Sequence, residues 1–559
     1  MPVISVSYSD LCRLVGELIP MESLGDLLAR VKVGFEGEEE GELELEVTAD
    51  RLDLVTVEGI ARALKGVMGK EAGLPRYDTF DSGWEIRVDP SVERVRPYVV
   101  GAVVEGVELD EDALVALMRA QEKLHQTLGR DRRKMSMGIH NADVIEPPIS
   151  YAAEPSDRVR FVPLGEAEEM TAREMLSRTE KGREYAHLVG DGSVVPVLRD
   201  SKGDVLSIPP ILNGELTRVT ESTRNLFIDV TGPDLRAISQ ALVLITTALA
   251  ERGGRIGTVA VRYLGEPGEL ITPDLSTSEL TVDVKYVNSV MGINLTPEEI
   301  SDLLRRVRLG AEVQGDSVRV LIPPYRFDFL HPVDVVEEVA QAVGYDRLEP
   351  ELPAWVSTFG RRHPIEKVSA LVRTLMIGLG YQEILNYVMT SREVLFERVL
   401  RPESPVVEVA NPVTASYSVL RDSLLPGVIA FLARNTGAPL PQKVFEVGDV
   451  VIPDESAETG ARDERRVCAA IADSEVGFED IQADLYALLR NLNVDFEVRQ
   501  ARHPTLLPGR TAEILVSGEV AGVVGEVNPE VLELNKIKTP VAAFELSLPA
   551  LKIIGPGGR

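Results

Sequence analysis

The chain has 559 residues, 44% of them hydrophobic, and a formal net charge of −30 at pH 7. Such a length suggests three or four domains with real cores, and the acidity argues against a nucleic-acid binder, so any RNA must be met by local basic patches or by another subunit. Two cysteines, Cys12 and Cys468, are too few for a disulfide scaffold or zinc site, no apolar run reaches the length of a membrane span, and the start MPVISVSYSDL lacks a signal-peptide layout, so a cytoplasmic setting is expected.

Residues 1–75 read as a small α/β module. Val3, Ile4 and Val6 suggest a first strand, and Ser9 or Asp10 can cap a helix carrying Leu11, Leu14, Val15 and Leu18. The acidic run Glu36–Glu42 reads as a solvated turn, after which Leu43, Leu45 and Val47 alternate as a strand. In ADRLDLVTVEGIARALKG, Val57, Ile60, Ala61 and Leu64 share one helix face, and Gly66 is the expected stop.

A connector, Gly69 to Gly83, leads to a second region, 84–265. RPYVVGAVVEGV reads as a strand, and a helix is expected over Asp112–Leu128, ended by Gly129. The densest basic cluster, GRDRRK at Gly129–Lys134, follows directly. Cations at a helix C-terminus are expected structurally, and phosphate contact is the functional alternative. His125, on the side of Gln121, is either a satisfied packing residue or a functional one. The segment Ile208–Asp234 is polar without being charged: Asn213, Glu215, Thr217, Thr220, Thr223, Asn225, Asp229 and Thr231 surround a short strand, Leu226–Val230. Turns and caps account for Asn213-Gly214 and Thr231-Gly232. The remaining hydroxyls and amides suit a pocket for a polar substrate.

In residues 272–350, Thr296-Pro-Glu-Glu299 is a capping box opening a helix with Ile300, Leu303, Leu304 and Val307. A hairpin is expected around Gln314-Gly315-Asp316. The stretch PPYRFDFLHPVDVVEEVAQAVGYDRL then starts a helix at Pro332, with Val335, Val336, Val339, Ala340 and Val343 as its apolar stripe. Helix, hairpin and helix suggest a winged-helix-like unit, with nothing basic placed to enter a DNA groove. Asp334, Glu337 and Glu338 stand at i, i+3 and i+4, and Asp328 lies on the loop leading in. Four gathered carboxylates call for a hard cation such as Mg2+; spread apart, they are an acidic helix start facing solvent.

Residues 355–559 read as a large α/β domain. A long helix carries Val368, Leu371, Val372, Leu375 and Leu379, and strands are expected at 383–389, 406–409, 444–451, 467–472, 512–516, 521–527 and 541–546, with helices around 424–436 and 479–492. The pattern is a mainly antiparallel sheet with helices, without G-x-G-x-x-G or P-loop; GPGGR at the end is a tail.

Four long blocks, ADRLDLVTVEGIARALKG, QEKLHQTLGRDRRKMSMGIH, PPILNGELTRVTESTRNLFIDVTG and PPYRFDFLHPVDVVEEVAQAVGYDRLEP, resemble in composition and order those of phenylalanyl-tRNA synthetase β subunits of the archaeal and eukaryotic cytosolic type. The resemblance covers essentially the whole chain. It implies an α+β multidomain protein: an N-terminal module (1–75), a B3/B4 tRNA-editing domain (84–265), a winged-helix-like B5 domain (272–350) and a class II synthetase-like antiparallel core without catalysis (355–559). It implies Mg2+ on Asp328, Asp334, Glu337 and Glu338, and a partner α subunit, two α with two β chains, whose active site attaches phenylalanine to tRNA(Phe) at the expense of ATP. Lys443-Val-Phe-Glu-Val-Gly448 is similar to part of a class II motif, but no glycine-rich arginine motif follows.

The resemblance also implies removal of mischarged tyrosine. A synthetic pocket rejects an added hydroxyl weakly, whereas an editing pocket can require it. Glu215 is the expected acceptor of the phenol, with Asn213, Thr217, Asp229 and Thr231 lining the pocket and His125 and Arg130 meeting the tRNA end. No Ser–His–Asp or Cys–His set stands out, so a positioned water is expected. The rival readings are a freestanding hydrolase of mischarged tRNA, against which residues 355–559 count, and a non-enzymatic, Mg2+-dependent scaffold, against which the polar block 208–234 counts.

Overall fold

Alternation of apolar and acidic residues builds the first sheet. Val3–Ser7 pairs with Glu42–Val47, which pairs with Val33–Glu39, both antiparallel. The acidic run is therefore strand and tight turn rather than a solvated turn. Its glutamates are mostly exposed on the edge strand and its turn, beside the strand that buries Leu43, Leu45 and Val47. The helix Tyr8–Val15 is capped by Ser7, not by Ser9 or Asp10: the Ser7 hydroxyl accepts from the Asp10 N–H, and Asp10 itself is buried. An unanticipated helix, Met21–Ala29, closes the core with Leu24 and Leu28.

The computed structural model describes residues 2–352 and 360–553; the tail 555–559 and the expected start of the last domain at 355 lie outside the described residues. The chain forms two compact units, Met1–Glu351 and Leu352–Arg559.

In the first unit, the helix Val57–Val67 continues through Gly66. That glycine is a contact rather than a stop: an added Cβ would lie 2.3 Å from the carbonyl oxygen of Arg306. A ten-stranded sheet forms the middle of the unit. Its spatial order is 212–213, 205–208, 194–199, 149–155, 79–88, 255–263, 98–105, 226–232 and 136–141, with 269–272 beside 255–263. The helices Glu111–Gln126 and Leu235–Ala250 cover one face, packing Leu117, Leu124, Ile238 and Leu242 on Val100, Ala102, Ile228 and Val230. Residues of opposite parity in 226–232 and 136–141 point to the other face: Asp229 and Thr231 from one strand, Ser136, Gly138 and His140 from its neighbour. The sheet curls until its ends meet, and the Asn213 side-chain amide donates to the Ile139 carbonyl at 3.3 Å.

A third sheet, ordered 278–283, 317–322, 310–314, carries the expected hairpin and packs against the helices Pro297–Arg306 and Pro332–Val343. The capping box at Thr296 and Glu299 is present. In the second unit, strands 382–383, 442–453, 461–472, 541–547, 519–527, 506–516 and 497–500 form one sheet, antiparallel except where 382–383 meets 442–453. The expected strands 383–389 and 406–409 are not formed as such. Only Gln382–Glu383 and Met389–Thr390 pair, because the Asn386 side chain and N–H turn to the Glu446 carboxylate, and Glu408 makes a single bridge to Val419.

Gly66→Ala tests the helix contact. Overpacking of this kind costs about 1–3 kcal/mol, so the thermal midpoint should fall; an unchanged midpoint would show that Gly66 does not approach the Arg306 carbonyl.

Candidate functional site

Where the two ends of the ten-stranded sheet meet, the helix Glu111–Gln126 roofs a cavity of about 320 Å³. Asn213, Thr217 and Asp229 line it, so the polar segment turns three of the five side chains expected in the pocket toward one space. Glu215 and Thr231 are not among the lining residues. The short 3-10 turn Glu215–Thr217 points Thr217 inward and Glu215 outward, where its carboxylate takes the Arg218 guanidinium at 2.6 and 2.8 Å and the Gly165 N–H at 2.8 Å. Thr231 lies behind the cavity and is held by Arg96, which donates to its hydroxyl (2.8 Å) and carbonyl (2.7 Å) and to the Ser136 hydroxyl (3.1 Å). Burial pushes the Arg96 guanidinium down to about 10.

His125 lines the cavity, but both ring nitrogens are engaged: Nε2 accepts from the Met137 N–H (2.8 Å), which leaves Nδ1 as the donor to Glu122 (3.3 Å). Burial lowers the His125 pKa, and the imidazole packs as a neutral group. Arg130 is exposed and is not a lining residue; the arginine of the basic cluster that reaches the cavity is Arg132. Arg130, Asp131 and Arg132 take successive positive φ values of 48°, 55° and 64°. Such backbone is sparsely populated outside glycine. It drives the Arg132 side chain inward to the Pro210 and Ile211 carbonyls (3.2 and 2.9 Å) and Glu122 (2.9 Å), over the Tyr185 ring. Hydrogen bonding from His125, with the charge of Arg132, holds the Glu122 carboxyl at about 2. Two buried polar atoms of the lining residues have no partner: the Ser207 hydroxyl and Arg132 Nε.

Sequence reasoning did not single out His140. It is fully buried, with Nε2 3.1 Å from Asp229 Oδ2 and Nδ1 2.7 Å from Thr217 Oγ1. A carboxylate, an imidazole and a hydroxyl therefore stand in line, the kind of set that the sequence alone left invisible. The signal was present as period-two patterning: Ser136, Gly138 and His140 interrupt an apolar strand on one face.

The four carboxylates expected to hold Mg2+ are disposed otherwise. Asp328 accepts two hydrogen bonds from Arg326 (2.9 and 2.7 Å), and Glu338, almost fully buried, takes the same guanidinium at 2.8 Å and Lys32 at 3.0 Å. Glu337 pairs with Lys32 from the exposed side. Asp334 turns back to cap its own helix, accepting from the Leu330 and His331 N–H groups at 2.7 Å each. Among the described residues no group of three or more carboxylate, histidine or cysteine side chains is placed to hold a metal ion. Arg326 and Lys32 neutralise the space in which a divalent ion would have to sit, so these residues, as arranged, do not fit it. Burial alone would raise the Glu338 carboxyl; the charges of Arg326, Arg51 and Lys32 outweigh it and hold the group at about 2.

Comparison with known proteins matches residues 280–345 to the tRNA synthetase B5 domain and residues 348–548 to the phenylalanyl tRNA synthetase beta chain CLM domain. The phenylalanine–tRNA ligase beta subunit of Korarchaeum cryptofilum is 51% identical over 552 residues, 98% of each chain. That of Pyrococcus furiosus is 42% identical, over 99% of this chain and 100% of its own. This chain belongs to the phenylalanine–tRNA ligase β-subunit family. A crystal structure of an N-terminal fragment of the Pyrococcus horikoshii β subunit, 42% identical, superposes with a TM-score of 0.60 over 62% of this chain and 100% of the fragment.

In the second unit of this β-subunit family member, three arginines in or beside the sheet are committed to carboxylates. Arg421 pairs with the buried Glu446 (2.6 Å), Arg466 with the buried Glu545 (2.8 Å), and Arg401 with Asp422 (2.8 and 2.7 Å). No helix among the described residues is long and apolar enough to cross a membrane.

Removing one partner of a buried ion pair costs about 3–5 kcal/mol, so Arg326→Met should destabilise the first unit by that order. The Glu338 carboxyl has a folded-state value below its ordinary 4.5, so its stabilisation is complete above about pH 4.5 and is lost as the pH falls toward about 2. Glu338→Gln should flatten that acid limb in denaturation curves; an unchanged limb would assign acid sensitivity to other carboxyls.

Proposed function

We propose that this chain is the β subunit of a phenylalanine–tRNA ligase of two α and two β chains. It supports ATP-dependent attachment of phenylalanine to tRNA(Phe) at an α-subunit active site, and it hydrolyses mischarged Tyr-tRNA(Phe) in the cavity at the sheet ends. Near-full-length identity to named β subunits supports the first part and counts against a freestanding hydrolase. Its work is in the cytoplasm, where charging of tRNA takes place.

The observation that carries the editing reading is the buried, unpartnered Ser207 hydroxyl in a cavity of amino-acid size that Asn213, Thr217 and Asp229 also line. A buried polar atom without a partner costs about 1–3 kcal/mol. A tyrosyl group can bring a hydroxyl to Ser207, with the Asn213 amide beside it; a phenylalanyl group leaves the Ser207 hydroxyl unmet. Discrimination of this kind favours the ligand that carries the extra hydroxyl. Ser207 and Asn213 thus take the place expected of Glu215, whose carboxylate is spent on Arg218.

The purified α/β complex should hydrolyse Tyr-tRNA(Phe) far faster than Phe-tRNA(Phe), and Ser207→Ala should cut that ratio about tenfold, the equivalent of one buried hydrogen bond, while phenylalanylation holds. Equal hydrolysis of both esters, or of neither, would end the editing reading.

A further inference from the structure

Asp229, His140 and Thr217 are 1%, 0% and 1% exposed, so their order is imposed by packing rather than by solvent. Gly138 stands directly opposite Asp229 in the register of the two strands, and His140 lies two residues further along the same face. An added Cβ at Gly138 would lie 2.1 Å from Asp229 Oδ2 and 2.6 Å from His140 Nε2. The absent side chain is therefore the gap through which the carboxylate reaches the imidazole. Phe227 stacks against the imidazole ring, 6.0 Å between centroids, and fixes its plane.

The chemistry of the three groups sets the direction of each hydrogen bond. An ionised carboxylate only accepts, so His140 Nε2 carries the proton toward Asp229. Nδ1 is then the acceptor, and the Thr217 hydroxyl donates to it at 2.7 Å in preference to its other acceptor, the Gly214 carbonyl at 3.4 Å. The lone pairs of the Thr217 oxygen are left for the cavity, which Thr217 lines and His140 does not. A base oriented by a carboxylate and joined to a hydroxyl at an amino-acid-sized cavity meets the geometric requirements for acyl chemistry.

We propose that Thr217 is the catalytic residue of ester hydrolysis, passing the proton of the attacking water to His140, with His140 and Asp229 as the positioning pair behind it; this rests on the editing reading above. A water held by Thr217 Oγ1 attacks the acyl carbon. As the new carbon–oxygen bond forms, the water proton moves to Thr217 Oγ1 and the Thr217 hydroxyl proton moves to His140 Nδ1. Asp229 stays ionised and stabilises the imidazolium. Collapse of the tetrahedral intermediate breaks the carbon–oxygen bond to the terminal ribose, and the proton returns through Thr217 to the ribose oxygen. Free amino acid and uncharged tRNA leave, with no change of oxidation state.

The test uses the intact α/β complex and single-turnover hydrolysis of Tyr-tRNA(Phe). Thr217→Val should lower the rate constant about a hundredfold or more, in the range of positioned proton transfer, with little change in the tRNA concentration needed for half-maximal rate. Thr217→Ser should restore it to near wild type. His140→Gln keeps a donor to Asp229 but removes the base; it should lose the rate to a similar degree and abolish the wild-type slowing in D2O. Retained phenylalanylation establishes that each variant is folded. Hydrolysis by Thr217→Val or His140→Gln within threefold of wild type overturns the relay and leaves the editing reading standing. Failure of the wild-type complex to hydrolyse Tyr-tRNA(Phe) overturns both.

Discussion

The first unit depends on a set of charges buried where its three larger sheets converge. Arg252 of the central region meets Asp10 (2.6 and 3.1 Å) and Glu58, one from each of the N-terminal helices Tyr8–Val15 and Val57–Val67. Arg51 clasps Asp53 at 2.9 Å through two bonds, and Arg62 donates to Tyr77, which donates to Glu251, while its guanidinium lies 3.5 Å over the Tyr325 ring. Arg326 and Lys32 continue the set to Asp328 and Glu338. Taking so many ions from water is costly, and each pair returns little beyond its own desolvation. What the set supplies is register: a shift of any one sheet would leave an unpaired charge in the interior. This explains why the N-terminal module, the ten-stranded sheet and the third sheet form one compact unit.

That rigidity reaches the cavity. Its roof helix Glu111–Gln126 is capped by Asp110, which also pairs with Arg13 of the N-terminal module. Its floor is the edge strand 136–141, whose neighbour supplies Asp229. Its far wall is Arg132, pulled inward by three strained residues and held by two carbonyls and Glu122. Strain of this sort persists only where surrounding contacts over-determine it, and here those contacts are the cavity wall itself.

Local rules carried far in the sequence. The capping box at Thr296, the hairpin 310–322 and the helix Val57–Val67 follow from neighbours a few residues apart, and the structure has them. The polar segment 208–234 announced a pocket because its hydroxyls exceeded what turns require, and Asn213, Thr217 and Asp229, three of the five side chains expected there, line one. What spacing could not convey was the far partner. The i, i+3, i+4 carboxylates of the helix Pro332–Val343 were legible as a cluster, but Lys32 is distant in sequence, and Arg326 competes for Asp328 and Glu338 alike. Glu215 was the reverse case: its own i+3 neighbour Arg218 takes its carboxylate. His140 was hidden by its strand, since one histidine among apolar residues acquires meaning only when the register sets it beside Asp229.

The disposition of cations bears on how work is divided between this chain and a partner. A polyphosphate site needs guanidinium groups free to meet phosphate oxygens, often in pairs. In the second unit Arg401, Arg421 and Arg466 are satisfied by carboxylates of the same sheet and its flanking segments, and Glu446 and Glu545 are too deeply buried to release them cheaply. A buried carboxylate stripped of its arginine costs more than a phosphate contact returns. These three arginines therefore serve the packing of the unit. With a net charge of −30, the chain also lacks the long-range attraction that draws nucleic acid. The exposed Arg130 and Arg133 beside the inward-turned Arg132 are a local exception, and they lie at the strained turn that walls the cavity. On the editing reading proposed above, this is the point at which the chain offers positive charge to a tRNA end.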